Sequence, residues 1–287
     1  MSGDRLLVPV ANPETADRLL DTAIDVARDR DLEILVLHVV GVPMQLSLEQ
    51  ARRSMDVEEG ESVVEYAVDR TRQRDVSVTG RVRFGRDVAG SVLSVAEQED
   101  VETILLGWRG RPRRRDVILG SYIDEVLANA PCDVLVKRID REGGDVSSVL
   151  VPVAGGPHTE YAAEIAGSLA RGQGASVELV TVVSPDADEE AVADGRSLLT
   201  RTSPALGAVE SVGETVLRGD DVVETIVDRS RDHDVTIIGA AENGLLRRVL
   251  VGSVPQAVGR EADGAVVMAK RHQGLPKALW RRLRDRL

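Results

Sequence analysis

The hexapeptide Leu6-Leu-Val-Pro-Val-Ala11 returns almost unchanged as Val149-Leu-Val-Pro-Val-Ala154, at an offset of 143 residues in a chain of 287. Gly107, Gly120 and Ser121 return as Gly239, Gly252 and Ser253, at an offset of 132. Two landmarks repeated in the same order indicate an internal duplication, so the fold of one half dictates the fold of the other. The eleven residues of difference fall between the landmarks, where the second copy lacks much of the segment around 41–55. The length suits two ordinary domains, expected over 1–140 and 145–271. A polar, glycine-bearing linker at 138–146 separates them, and a tail over 272–287 follows.

Within the first copy, short apolar runs alternate with amphipathic stretches. Residues 5–10 read as a buried strand, and apolar positions 16, 19, 20, 23, 24 and 27 mark one face of a helix over 15–30. Further strands are expected at 33–40, 76–84, 101–106 and 133–137, with helices over 48–74, 87–98 and 122–129. Strands alternating with helices imply a parallel sheet covered on both faces. The expected fold is therefore α/β, two tandem doubly wound parallel five-stranded sheets of Rossmann-like type, each with its ligand crevice at the carboxyl ends of the strands. Pro9 and Pro152 fall within strands one and six, and a residue without an N–H fits only at the last paired position.

The segment 107–121, between the fourth strand and the next helix, occupies that crevice position. Its glycines at 107, 110 and 120 permit positive φ and close ligand approach, and Ser121 stands where a helix N-cap belongs. Arginines at 109, 111, 113, 114 and 115 add positive charge beside a helix start, which itself favours an anion. Phosphate fits these features. A second reading needs no ligand: Ser121 with Asp124 forms a capping box, and the arginines pair with surface carboxylates.

The formal net charge of −12 and an aromatic content of 2% argue against nucleic-acid binding, which needs cationic surface and stacking rings. Lysine occurs only at 137, 270 and 277, and the excess of acid resembles proteins of a halophilic, salt-rich cytoplasm. No run of residues is long and apolar enough for a membrane span and the N-terminus has no signal-peptide layout, so a cytoplasmic protein is expected. Cys132 stands alone, and the histidines at 38, 158, 233 and 272 have no partners at metal-ligand spacing, so neither a disulfide nor a metal site is expected. His38 reads as a satisfied core or crevice histidine and His158 as a solvent-facing one. No nucleophile motif or P-loop lysine is present, and no catalytic role is assigned. Residues 276–287 pattern as a basic amphipathic helix with Leu279, Trp280, Leu283 and Leu287 on one face. Such a helix docks on its own domain, on a protein partner or on an anionic membrane surface.

Val-Pro-Val at the end of strand one and Gly-x-x-Gly-x(9)-Gly-Ser after strand four, in a duplicated β-α frame, resemble the universal stress protein family over about residues 4–271. The resemblance implies that Gly107, Gly110, Gly120 and Ser121, with Arg109, hold the phosphates of ATP or another adenine nucleotide. It places Val10, Ala11 and Val39 beside the nucleoside, and Gly239, Gly244, Gly252 and Ser253 at the corresponding place in the second copy. It also implies fifth-strand pairing, hence an intrachain pseudo-dimer with homo-oligomers open to it. Two departures stand out. Ala11 and Ala154 replace an aspartate that nucleotide-binding members carry, a hydrogen bond worth about 1 to 3 kcal/mol. Glu242 replaces the glycine matching Gly110, and a carboxylate there repels phosphate, although Arg247 and Arg248 follow. The first copy is thus the expected binder. The expected function is a non-enzymatic stress-response protein that binds ATP; the alternative is a nucleotide-free scaffold or the regulatory partner of a membrane transporter, and a slow nucleotide hydrolase is a third class.

Overall fold

The computed structural model describes residues 4–47, 49–50, 57–109, 121–140, 144–241 and 253–273. In the first half the order is β1 (Arg5–Pro9), α1 (Pro13–Arg30), β2 (Glu33–Gly41), α2 (Glu58–Arg72), β3 (Val78–Gly85), α3 (Val88–Gln98), β4 (Thr103–Trp108), α4 (Ser121–Asn129) and β5 (Asp133–Arg138). The second half repeats it: β6 (Ser148–Pro152), α5 (Gly156–Gln173), β7 (Ser176–Val183), α6 (Glu189–Thr202), β8 (Val212–Arg218), α7 (Val222–Ser230), β9 (Val235–Gly239), α8 (Ser253–Glu261) and β10 (Ala265–Lys270).

Local chemistry accounts for these boundaries. Asn12 caps α1 by accepting from the Thr15 N–H at 2.8 Å, Pro13 supplies the first-turn φ, and Asp31 ends the helix at φ 55°. All six positions of the expected apolar face, from Ala16 to Ala27, are fully buried. Asp87 and Asp221 cap α3 and α7 in the same way. Pro9 and Pro152 take the last paired positions of β1 and β6, opposite Leu37 and Val180. The next residues, Val10 and Val153, each add one hydrogen bond beyond the ladder, to those same partners' carbonyls. The long helix expected over 48–74 is described only at 49–50 and as α2, and residues 51–56 lie outside the described set. Gly107 and Trp108, expected in the loop, extend β4 instead, because Gly107 and Trp108 pair with Lys137 and Arg138.

Each half has the expected doubly wound strand order 3-2-1-4-5, and the two five-stranded units meet through their fifth strands, the pairing that the family resemblance implies, so they do not remain two sheets. One mixed ten-stranded sheet runs β3-β2-β1-β4-β5-β10-β9-β6-β7-β8, with β5 and β10 antiparallel and Met268 opposite Val136. An edge strand left open on each half is completed by its counterpart. The register also sets the two fifth strands in correspondence. Gly107 faces Lys137 and Gly239 faces Ala269, so Ala269 is the counterpart of Lys137, and Lys270 that of Arg138.

Two apolar cores lie on the two faces of the sheet, one under α1, α2, α5 and α6, the other under α3, α4, α7 and α8. On the first face α1 and α5 pack against each other across the β5–β10 seam. Arg171 binds Asp29 through two donors at 2.6 and 2.7 Å, and Ser168 donates to the same carboxylate at 2.7 Å. The Arg171 bonds hold the Asp29 carboxyl below its ordinary range, against partial burial. A carboxyl with a depressed folded value contributes stability above its unfolded pKa and loses it as pH falls through the folded one. Acid unfolding followed by circular dichroism should therefore show a shallower loss of stability in Asp29→Asn than in the wild type. An unchanged acid limb would mean that the pair contributes nothing to the seam.

Candidate functional site

Between β6 and β9 the strand order reverses, and there the carboxyl ends of β6, β7 and β9 open into a cleft of about 490 Å³. Val153, Val180, Val182, Ile226 and Ile238 supply apolar walls; Thr159 and Thr181 supply hydroxyls. The floor is glycine and alanine. Ala154 is exposed in it, and Gly155 and Gly156 turn the chain into α5 at φ 88° and 80°, values that an L side chain rarely adopts. Gly155 is the N-cap of α5 and makes no side-chain capping bond, so the helix start presents its N–H groups without the cap that Asn12 gives α1. Gly239 is required by close approach: a Cβ there would meet the His158 carbonyl carbon and oxygen at 2.6 and 2.7 Å. The positive φ read for its partner Gly107 is likewise corrected. Gly107 has ordinary strand geometry, and a Cβ on it would meet Ile139 at 2.8 Å.

In the first copy, β1 and β4 lie side by side and bring Val10, Ala11 and Gly107 to one end of the sheet, with Val39 on β2 next to them. His38 donates from Nδ1 to the Val10 carbonyl at 2.9 Å, which makes it the satisfied crevice histidine the sequence suggests. Arg109 pairs with Glu14 at the first turn of α1, 3.4 Å away, both side chains 58% exposed. That contact is the surface pairing of the ligand-free reading. Where the second cleft has Ala240 and Val254, the first copy has Trp108 and Tyr122. Trp108 is buried and turns toward Gly259 of α8, and burial pushes the Tyr122 hydroxyl above its ordinary range. Ser121 and Ser253 open α4 and α8; Gly110, Gly120, Gly244 and Gly252 lie outside the described residues, as do Glu242 and the remaining loop arginines.

His158 departs from its solvent-facing expectation. It is 6% exposed, and its Nδ1 accepts the Arg271 N–H at 3.0 Å, which fixes the other tautomer from that of His38. Among the described residues no group of His, Cys, Asp and Glu could hold a metal ion, and no helix is long and apolar enough to cross a membrane. The Gly155-Gly156-Pro157 turn was visible in the sequence as a breaker followed by a helix start. The size contrast between Trp108 and Ala240 was visible too, but only the register makes them counterparts.

The fold and its crevice define a tandem α/β protein of doubly wound type with a ligand-sized cleft at a topological switch point. The universal stress protein family model matches residues 3–138 and 146–270, and the chain belongs to that family. The family is characteristically non-catalytic, made of stress and regulatory proteins. A universal stress protein of Methanothermobacter thermautotrophicus is 28% identical over 141 residues, covering 47% of this chain and 94% of its own. The Na(+)/H(+) antiporter NhaS5 of Synechocystis is 23% identical over 265 residues, or 92% of this chain; the match spans only 38% of the antiporter. Among solved structures, a universal stress protein from Archaeoglobus fulgidus superimposes with a TM-score of 0.69 at 18% identity, over 95% of this chain and 98% of its own. The cytoplasmic domain of a prokaryotic cation chloride cotransporter gives 0.59 at 14% identity, over 92% and 94%.

Proposed function

We propose that the chain is a non-enzymatic stress-response protein that binds an adenine nucleotide, ATP in the first instance, at the carboxyl end of a half-sheet. The observation that carries this reading is the cleft at the second switch point, with its apolar walls and an α5 start free of a side-chain cap. A flat base suits the Val153, Val180 and Ile238 walls, and a phosphate suits helix N–H groups. The sequence favours the first copy through its glycine-serine loop, whereas the described geometry favours the second through its small side chains. Calorimetric titration of ATP separates them. Ala154→Trp fills the second cleft and should abolish saturable binding, while Gly120→Val should leave it intact. The reverse pattern assigns the nucleotide to the first copy, and no binding to the wild type removes the nucleotide reading.

In that last case a second reading leads, that of a regulatory module for a membrane cation transporter. Its support is the likeness of nearly the whole chain to part of an antiporter and to a cotransporter's cytoplasmic domain. The amphipathic segment 276–287, outside the described residues, supplies a candidate contact for that partner or for the membrane surface.

A further inference from the structure

The duplication sets each charged group of one half beside its counterpart in the other, and one such pair differs in how its charge is met. Arg138, the last residue of β5, is 3% exposed and reaches across to α8. It donates to the Gly259 carbonyl at 2.9 Å and to that of Gly264, and Asp140 stands 3.3 Å from its Nε. The guanidinium thus has both a helix end and a carboxylate. Its counterpart Lys270, the last residue of β10, donates to the carbonyl of Leu127 on α4, and Leu127 matches Gly259 at the offset of 132. There the likeness stops. The residue matching Asp140 is His272, and burial lowers the Lys270 ammonium from its ordinary range with no described carboxylate to raise it again.

Beside Lys270 lies a cavity of about 250 Å³. Leu127, Ala130, Cys132 and Val134 give it buried, largely apolar walls. Lys270, Arg271 and His272 supply its basic side, and no acid lines it. Arg271 is already neutralised, by Asp133 at 3.4 Å and by Glu164, and the other Asp133 oxygen accepts the His272 N–H at 2.7 Å. Lys270 is therefore the cation whose charge is met only by a helix end, worth about half a unit charge, and two of its ammonium protons remain to be given. One more full negative charge is wanted here, and a second would find no cation left for it. The apolar walls call for a carbon chain behind that charge.

We propose that this cavity binds a short-chain monocarboxylate, its carboxylate on Lys270 in the role that Asp140 has for Arg138 and its chain against Leu127, Ala130 and Val134. The site shares no lining residue with the strand-end cleft of β6, β7 and β9, so its occupancy is independent of the nucleotide reading. The full chain is titrated calorimetrically with butyrate, and with butylamine, butanol and inorganic phosphate for comparison. Butyrate should bind saturably and raise the melting temperature; butylamine and butanol should do neither, and phosphate should bind more weakly for want of an apolar body. Lys270→Met should weaken butyrate binding about tenfold or more, the loss of a charge-assisted hydrogen bond. Lys270→Arg combined with His272→Asp transplants the pair of the first half and should abolish binding while the circular dichroism spectrum stays native. The proposal is overturned if butyrate does not bind, if any of the three comparison compounds binds as tightly, or if either folded variant keeps wild-type affinity.

Discussion

Tyr161→Ala should destabilise the protein by about 3 to 5 kcal/mol, the range for removing a large ring from a well-packed interior. Tyr161 sits on α5, fully buried, where β4 and β5 of one half meet α5 and the end of β10 of the other. Its loss opens a cavity at the seam and strips the stacked Arg271 of its aromatic partner, leaving that guanidinium to Asp133 at 3.4 Å and to Glu164. Burial holds the phenol proton on, so the hydroxyl remains available to Thr103 throughout the accessible pH range. Tyr161→Phe keeps the ring and should cost only about 1 to 3 kcal/mol, the penalty of an unsatisfied buried hydroxyl. Denaturant titration resolves both. Equal losses for Ala and Phe would show that the hydrogen bond, not ring packing, holds the seam.

Gly167→Ala should be at least as damaging as an overpacked core, about 3 kcal/mol or more. A Cβ at 167 would stand 2.0 Å from the Leu206 carbonyl oxygen and 2.8 Å from its carbon. That oxygen belongs to the short 3₁₀ turn Ser203–Leu206, which is clamped by Arg171 donating to the same carbonyl, so the obstacle is backbone and cannot rotate aside. Gly213→Ala is the control. Its Cβ would meet only Glu178 Cγ at 3.7 Å, an ordinary contact. Melting curves should separate the two variants by roughly 10 °C in a chain of this size. A Gly167→Ala protein that melts with the wild type would mean that α5 and the turn part freely.

The duplication and the α/β order were legible because they rest on local signals. Apolar spacing marked α1 to within two residues, and Pro9 announced the end of β1 because a residue without an N–H has one tolerable place in a parallel ladder. The merger of two sheets through their fifth strands followed from the family resemblance and not from the residues of those strands. Nothing in Asp133–Arg138 separates a strand that ends a sheet from one that meets a second sheet, since both are short and apolar. The glycines at 107 and 239 were legible as special but for the wrong reason. Gly239 is demanded by backbone remote in sequence, at the start of α5, while Gly107 borders the rotatable end of the Ile139 side chain, and neither is special through its own torsions. For His158 the missing information was Arg271, 113 residues away. Asp25 and Lys137 could not be placed at the seam from sequence, because an acid on a helix and a lysine in a strand look alike whether they face water or a joint between halves.

Two separate five-stranded sheets would have four edges, and the joined sheet has two, β3 and β8, at opposite ends. Nine strand spacings put them roughly 43 Å apart. Arg81 and Arg83 on β3, bound to Glu99, Gln98 and Ser94, and Glu214 and Arg218 on β8, place charge along both edges, which discourages strand addition by another chain. Because both halves of the joint are carried on a single polypeptide, their union is a unimolecular event that dilution cannot reverse. A pair of single-domain chains joined through the same strands would come apart as its concentration fell, and its stability would depend on expression level. Fusion makes this arrangement insensitive to how much protein the cell holds.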